Sequence, residues 1–207
     1  MSLVLGSDGN LRCPWGDGVP EYVDYHDREW GQPVTSVPGL YERLSLEAFQ
    51  SGLSWLTILR KRENFRAAFA GFDPEQVASF GAADVERLMA DAGIIRNRAK
   101  IEAAIGNARV VADLGNTFAE LILGFEQPGR PRPSAVEQVP AQTAESVALS
   151  KALKRHGIRF VGPTTAYAMM QAVGLVDDHL QGCFVRITPA VPVPARAPAR
   201  RGGHDTG

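Results

Sequence analysis

Two cysteines and two histidines carry the most specific chemistry in this 207-residue chain. Cys13 and His26 stand near its start, and His179 and Cys183 stand four apart near its end. Two thiolates and two imidazoles complete a tetrahedral shell for Zn²⁺ and leave no position for water, so such a site is structural rather than catalytic. It would join segments about 170 residues apart and remove loop entropy from everything between them. Two buried thiols and two unrelated histidines are the competing reading. His156, before Gly157, and His204, near the end of the chain, need no function. All three tryptophans and three of the four tyrosines (Trp15, Tyr22, Tyr25, Trp30, Tyr41, Trp55) lie within about forty residues near the start of the chain. Such a cluster is usually core, but Tyr25 adjoins His26. A metal there would hold Tyr25 as a fixed stacking wall for a planar ligand.

Glu47 is the acid whose position most needs explaining. At about 100° per residue, Leu40, Leu44 and Ala48 share one helix face, while Leu46, Phe49 and Leu53 share the opposite one. Glu47 falls about 20° from Leu40 on that wheel, the wrong place for a solvated carboxylate. A buried carboxyl needs a partner, either an arginine elsewhere or a ligand presenting N–H groups and positive charge.

The elements that must position these residues read as helices. Asp73-Pro74-Glu75-Gln76 sets a cap, an N1 proline and a returning Gln. Thr117-x-x-Glu120 matches a capping box, Thr143 caps a helix running to Arg155, and Gly157 can close it in a left-handed turn. Pro163 opens a further apolar helix that ends near Gly174. Val85, Leu88, Met89 and Ala92 form one stripe at i, i+3, i+4, i+7, and Ile101, Ala104, Ile105 and Ala108 form another. Between them Gly93-Ile94-Ile95-Arg96-Asn97-Arg98 leaves room only for a tight turn, which predicts a helical hairpin. The free amides that open its second helix, with Arg96, Arg98 and Lys100 around them, suit a phosphate. No period-two run is sustained, so the expected class is all-α.

Composition sets the frame. Hydrophobic residues at 44% and charged residues at 22% are those of a folded domain. With 22 Lys+Arg against 23 Asp+Glu, the net charge of -1 excludes a uniformly basic nucleic-acid coat, though not a local patch. Two cysteines are too few for a disulfide scaffold or a four-thiolate iron–sulfur cluster. No apolar run reaches membrane length and no signal peptide opens the chain, so a soluble cytoplasmic protein is expected. Residues 1–11 read as a flexible lead-in, 12–186 as one helical domain with the hairpin at about 84–112, and 187–207 as a disordered Pro/Ala/Arg-rich tail.

Ordered blocks along the chain resemble the 3-methyladenine DNA glycosylase I family. They are Arg12-Cys13-Pro14-Trp15, Tyr25-His26-Asp27-Arg28-Glu29-Trp30-Gly31, Leu46 to Trp55, Asp91 to Asn97, Ala148 to Lys154, Phe160-Val161-Gly162 and Gly174 to His179. The resemblance runs from about Arg12 to Cys183. It implies the fold of the helix-hairpin-helix DNA glycosylases with a zinc site joining the two ends, ligated by Cys13, His26, His179 and Cys183. It also implies that Glu47 and Tyr25 recognise the damaged base, that Trp55 stacks on it, and that Gly93, Ile94, Ile95, Arg96, Arg98 and Lys100 grip the DNA backbone. Gly52 and Leu53 would probe the gap left by the extruded base.

The implied reaction is hydrolysis of the N-glycosidic bond of 3-methyladenine in alkylated double-stranded DNA. A monomer would release the free base and leave an abasic site. The hairpin departs from the superfamily's Gly-hydrophobic-Gly pattern at Ile95. The superfamily's Asp after the hairpin is not assigned here, so no general base is named. Two other readings are a non-catalytic helical DNA-binding module with a structural zinc, and a zinc hydrolase, which would need an open coordination position.

Overall fold

A computed structural model describes residues 2–187, so the expected tail lies outside the described residues save for Ile187. Among them the chain is helical: α1 (Pro20–Arg28), α2 (Val37–Gln50), α3 (Trp55–Ala68), α4 (Pro74–Ala78), α5 (Ala82–Ala90), α6 (Arg98–Leu114), α7 (Asn116–Leu123), α8 (Ala144–Arg155) and α9 (Pro163–Ala172). Short 3-10 turns lie at Pro14–Gly16, Ala70–Phe72 and Val136–Gln138. The all-α expectation therefore holds, with one addition. The segment read as a lead-in forms a small antiparallel hairpin, β1 (Val4–Leu5) with β2 (Leu11–Arg12). Arg12 stabilises it by donating to Asp8 at 2.6 and 2.8 Å, and to Asp27 of α1 at 2.7 to 3.2 Å.

Helix α2 is the axis of the molecule. It packs against α3, α4, α6, α7 and α9, which explains why its sequence is apolar on two faces. Leu40, Tyr41, Leu44, Leu46 and Phe49 are buried, each large apolar side chain stabilising the fold by about 1.5–3 kcal/mol. Tyr41 keeps its hydroxyl satisfied by donating to the Ala104 carbonyl of α6 at 2.9 Å. Phe49 packs on Phe65 and Phe69 of the next layer. The helix ends at Gln50, so Leu53 is not on its wheel. It stands 41% exposed in the loop between α2 and α3, where Gly52 takes a positive φ of +85°.

Local signals decided the helix ends with two exceptions. Ser36, Ser54, Asp73, Asn97 and Thr143 all accept an amide of their own first turn. Gly157, at φ +92°, closes α8 with its N–H on Lys154 O, while the Ile158 N–H reaches Leu153 O. Thr117 is no cap: α7 follows α6 almost at once, and Gly115, at φ +53°, makes the break between them. Ala92 lies beyond α5, which ends at Ala90.

Candidate functional site

Four buried donors meet where the two ends of the described chain converge. Cys13 Sγ lies 3.8 Å from His179 Nδ1, and Cys183 Sγ lies 3.6 Å from both His179 Nδ1 and His26 Nε2. All four donor atoms fall within 4.8 Å of one another. Donors about 2.0–2.3 Å from a tetrahedral metal stand roughly 3.3–3.8 Å apart, so this cluster could bind a metal ion. His26 Nδ1–H donates to Asp27 at 2.8 Å and His179 Nε2–H to the Trp30 carbonyl at 3.1 Å, which turns the other ring nitrogens toward the thiols as acceptors; His26 Nε2 also takes a long bond from the Cys13 N–H at 3.4 Å. Cys183 and then burial push the Cys13 thiol up, while Cys13, followed by His179 and His26, holds the Cys183 thiol down against burial; a cation between them would suit both as thiolates. Local sequence makes room for the cluster. Gly16 has no Cβ because one there would run into the His26 ring, and the His179–Cys183 pair is carried on a tight loop, with Cys183 N–H on Leu180 O at 3.0 Å.

The early aromatic cluster connects these donors to a cavity of about 410 Å³. Trp15 meets the His26 ring edge-on at 5.1 Å, and Trp30 meets His179 at 4.7 Å and Trp15 at 4.8 Å. Trp15, Tyr22, Tyr25, Trp30 and Trp55 all line the cavity, together with Glu47, Gln50, Gln171 and Asp178. Only Tyr41 of the early aromatics is core. Tyr25 and Trp55 face each other at 5.4 Å between ring centroids. Tyr22 is held by the Leu56 N–H at the start of α3, at 3.2 Å.

Glu47 reaches the cavity from the buried face of α2 and is 6% exposed. Among the described residues nothing donates a hydrogen bond to its carboxyl. Burial pushes its pKa up to about 8 against the nearby charge of Arg43. Burial, and then the Glu47 charge, push the Tyr25 phenol well above its ordinary range. Beneath this wall Glu29 accepts from Arg62 at 2.6 and 2.7 Å and from Arg43 at 2.9 Å. Burial pushes the Glu29 carboxyl up, but the two guanidiniums hold it below the usual carboxylate range. These three charged residues were not singled out from sequence. Their signal was their spacing, four after Tyr25, four before Glu47 and seven after Trp55.

The helical hairpin forms as expected from α5 and α6, joined by residues 91–97. Its turn is braced from α3: Lys61 donates to the Ala92 and Gly93 carbonyls, and Asn64 to Gly93 O. Gly93 is needed for close approach, since a Cβ there would sit 3.1 Å from Asn64. Ile94 is buried and Ile95 half-buried, so both anchor the turn, whereas Arg96 is exposed. Arg98 is exposed and paired with Glu86 at 2.9 Å. Lys100 departs from the expected set of cations around the turn. Its ammonium points inward and donates to Phe49 O at 2.9 Å and Ser51 O at 2.7 Å, satisfying carbonyls at the end of α2 that have no partner within the helix. It thereby ties the Gly52–Leu53 loop to the hairpin.

Comparison with known proteins gives a consistent picture. A family model described as methyladenine glycosylase matches residues 15–186. The chain is 49% identical over 177 residues to the DNA-3-methyladenine glycosylase 1 of Escherichia coli, across 83% of this chain and 95% of that protein. It is 45% identical to the DNA-3-methyladenine glycosylase of Haemophilus influenzae over 83% and 96%. A crystal structure of a 3-methyladenine DNA glycosylase I superimposes with a TM-score of 0.80 at 47% identity, covering 84% of this chain and 98% of that one. The Staphylococcus aureus enzyme, solved to explain its recognition of 3-methyladenine, does so with a TM-score of 0.78 at 35% identity, over 83% and 94%.

Proposed function

The chain belongs to the methyladenine glycosylase family and is a DNA glycosylase, and from that premise we propose how its cavity serves base-excision repair. The substrate is an adenine methylated at N3 in duplex DNA, flipped into the cavity at a cost of a few kcal/mol in stacking and pairing. The observation that carries this reading is a buried, otherwise unpartnered carboxyl, Glu47, in an aromatic cavity on the Tyr25 and Trp55 walls.

N3-methylation gives the nucleobase a positive charge. Tyr25 and Trp55 offer electron-rich faces to that charge, and Glu47 accepts N–H bonds from the base edge. Burial favours the protonated form of Glu47 while the cavity is empty, and a cationic base beside it favours release of that proton to water, leaving a carboxylate. A neutral adenine lacks that charge, so discrimination and binding come from the same pair. The glycosidic bond then breaks with its electron pair going to the base, which leaves neutral. Water adds to the sugar carbon and loses a proton, giving an abasic site. A leaving group that departs neutral makes little demand on acid–base catalysis, so Glu47 serves as recognition residue and no general base is assigned.

The remaining assignments follow the same reading. Gly93, Ile94 and Ile95 form the turn that presents the α6 amides to a backbone phosphate, with Arg96 and Arg98 as its cations. Lys100, from the first turn of α6, holds the end of α2 and the Gly52–Leu53 loop against the hairpin. Leu53, exposed beyond Gly52, enters the gap left by the flipped base. Cys13, His26, His179 and Cys183 would hold one Zn²⁺, which with four protein donors supplies a cross-link and no open catalytic position. The protein acts as a cytoplasmic monomer, and among the described residues no helix is long and apolar enough to cross a membrane. Incubating it with methylated duplex DNA should release 3-methyladenine, measured by chromatography of the free bases. No release above the rate of spontaneous loss would overturn the reading.

A further inference from the structure

Tyr25, Glu47 and Trp55 stand on three different helices, and each shares a face with one member of the half-buried ion cluster beneath the cavity. Glu29 comes four residues after Tyr25 at the end of α1, Arg43 four before Glu47 on α2, and Arg62 seven after Trp55 on α3. Separations of four and seven return to the same side of a helix. Glu29 accepts from both arginines, so one carboxylate ties all three recognition helices together. Two guanidiniums against one carboxylate leave one positive charge uncompensated. The Nη1 of Arg43 is buried and has no hydrogen-bond partner, which marks where that charge is least satisfied. An ionised Glu47, one turn further along α2, makes the four-member set neutral.

We propose that Glu29, Arg43 and Arg62 are positioning residues for base recognition, locking the three cavity helices in register and setting how readily Glu47 carries its charge. This rests on the assignment of Glu47 as the acceptor for the base. Arg43 favours the Glu47 carboxylate, and Glu29 moderates Arg43, so that its cation does not repel a positively charged base at full strength. The charged group that acts on Glu47 directly is Arg43 on its own helix; Tyr25 of α1 stands beside Glu47 and feels Glu47, Arg43, Glu29 and Arg62 of α3 together. Cys13 and Asp178 lie elsewhere on the cavity wall, and Lys100 of α6 is engaged at the far end of α2. Burial alone disfavours the Glu47 carboxylate, and Arg43 is the group that opposes it.

The test is the pH profile of 3-methyladenine release from methylated duplex DNA under single-turnover conditions. Arg43→Met should move the acid limb of kcat/KM to higher pH by about one unit, roughly a tenfold loss on the limb. Arg43→Lys, which keeps the charge, should leave the limb near its wild-type position. Glu29→Gln removes a carboxylate and should move the limb the other way, to lower pH. A structural role alone would lower rates without these opposite displacements. A limb unmoved in both variants, or displaced in the same direction, overturns the proposal. Should Arg43→Met not fold, the direction found in Glu29→Gln decides. Glu47→Gln separates the two readings. If the limb vanishes in it but is unmoved in the others, only the positioning role fails. If the limb persists in it, the assignment of Glu47 fails as well.

Discussion

Glu47 is where a single side chain bears most of the functional argument, and its placement has a measurable thermodynamic consequence. Its folded pKa of about 8 lies above the ordinary 4.5, so the folded state holds a proton that the unfolded chain releases. Below about pH 4.5 both states are protonated and burial of the neutral acid costs little. Between about 4.5 and 8 stability falls as pH rises, and above 8 the loss is complete. Relative to Glu47→Gln, the wild type should therefore lose on the order of a few kcal/mol across that window. Urea unfolding of both proteins at pH 5 and pH 8 measures it, and an unchanged difference would show the carboxyl to be ionised throughout. The wheel had already placed this residue on a buried face. Arg43 and Glu29 were not legible in the same way, because the partner of a buried charge is chosen by packing between helices and not by spacing along one of them.

Among the elements, the pairing of α2 with the hairpin is the join that sequence periodicity did not reveal. The stripes on α5 and α6 predicted the hairpin itself, and the caps at Asp73 and Thr143 predicted where helices begin. Lys100 looked like one more cation beside the turn. Its position on the first turn of α6, against the end of α2, instead commits its ammonium to two carbonyls, and burial pushes its pKa down. Lys100→Met should destabilise the fold by about 1.5–3 kcal/mol, the loss of charged hydrogen bonds to carbonyls left without donors. It should also loosen Gly52 and Leu53, so excision from DNA falls more than binding of free 3-methyladenine. Unfolding curves and fluorescence titration of the cavity tryptophans check the two parts separately. Thr117 shows the opposite limit of local reading: a capping pattern counts for nothing when a positive-φ glycine has already made the break.

For the molecule as a whole, the cluster at the chain ends decides how much of the fold acts as one unit. Cys13 and His26 enter from one end, His179 and Cys183 from the other, and Trp15 and Trp30 carry the contact on to the cavity wall. Purified protein should contain one equivalent of zinc, and a strong chelator should lower Tm in the wild type but not in a Cys13→Ser, Cys183→Ser double variant. The loss should be on the order of a few kcal/mol, the scale of holding a long loop closed. Equal chelator sensitivity in both would exclude these ligands. The net charge of -1, which excluded a basic coat, agrees with the proposal that DNA is held locally through a helix N-terminus and a few arginines. By itself the sequence determined the helical class, the hairpin, the four-donor set and the suspicious position of Glu47, since each is written in residue types at short periods or in ordered blocks. Only the tertiary structure decided which cations are free, what lies behind Glu47 and how the aromatics divide between core and cavity wall. Those depend on which helix faces meet, and that is set by packing residues far apart in the chain.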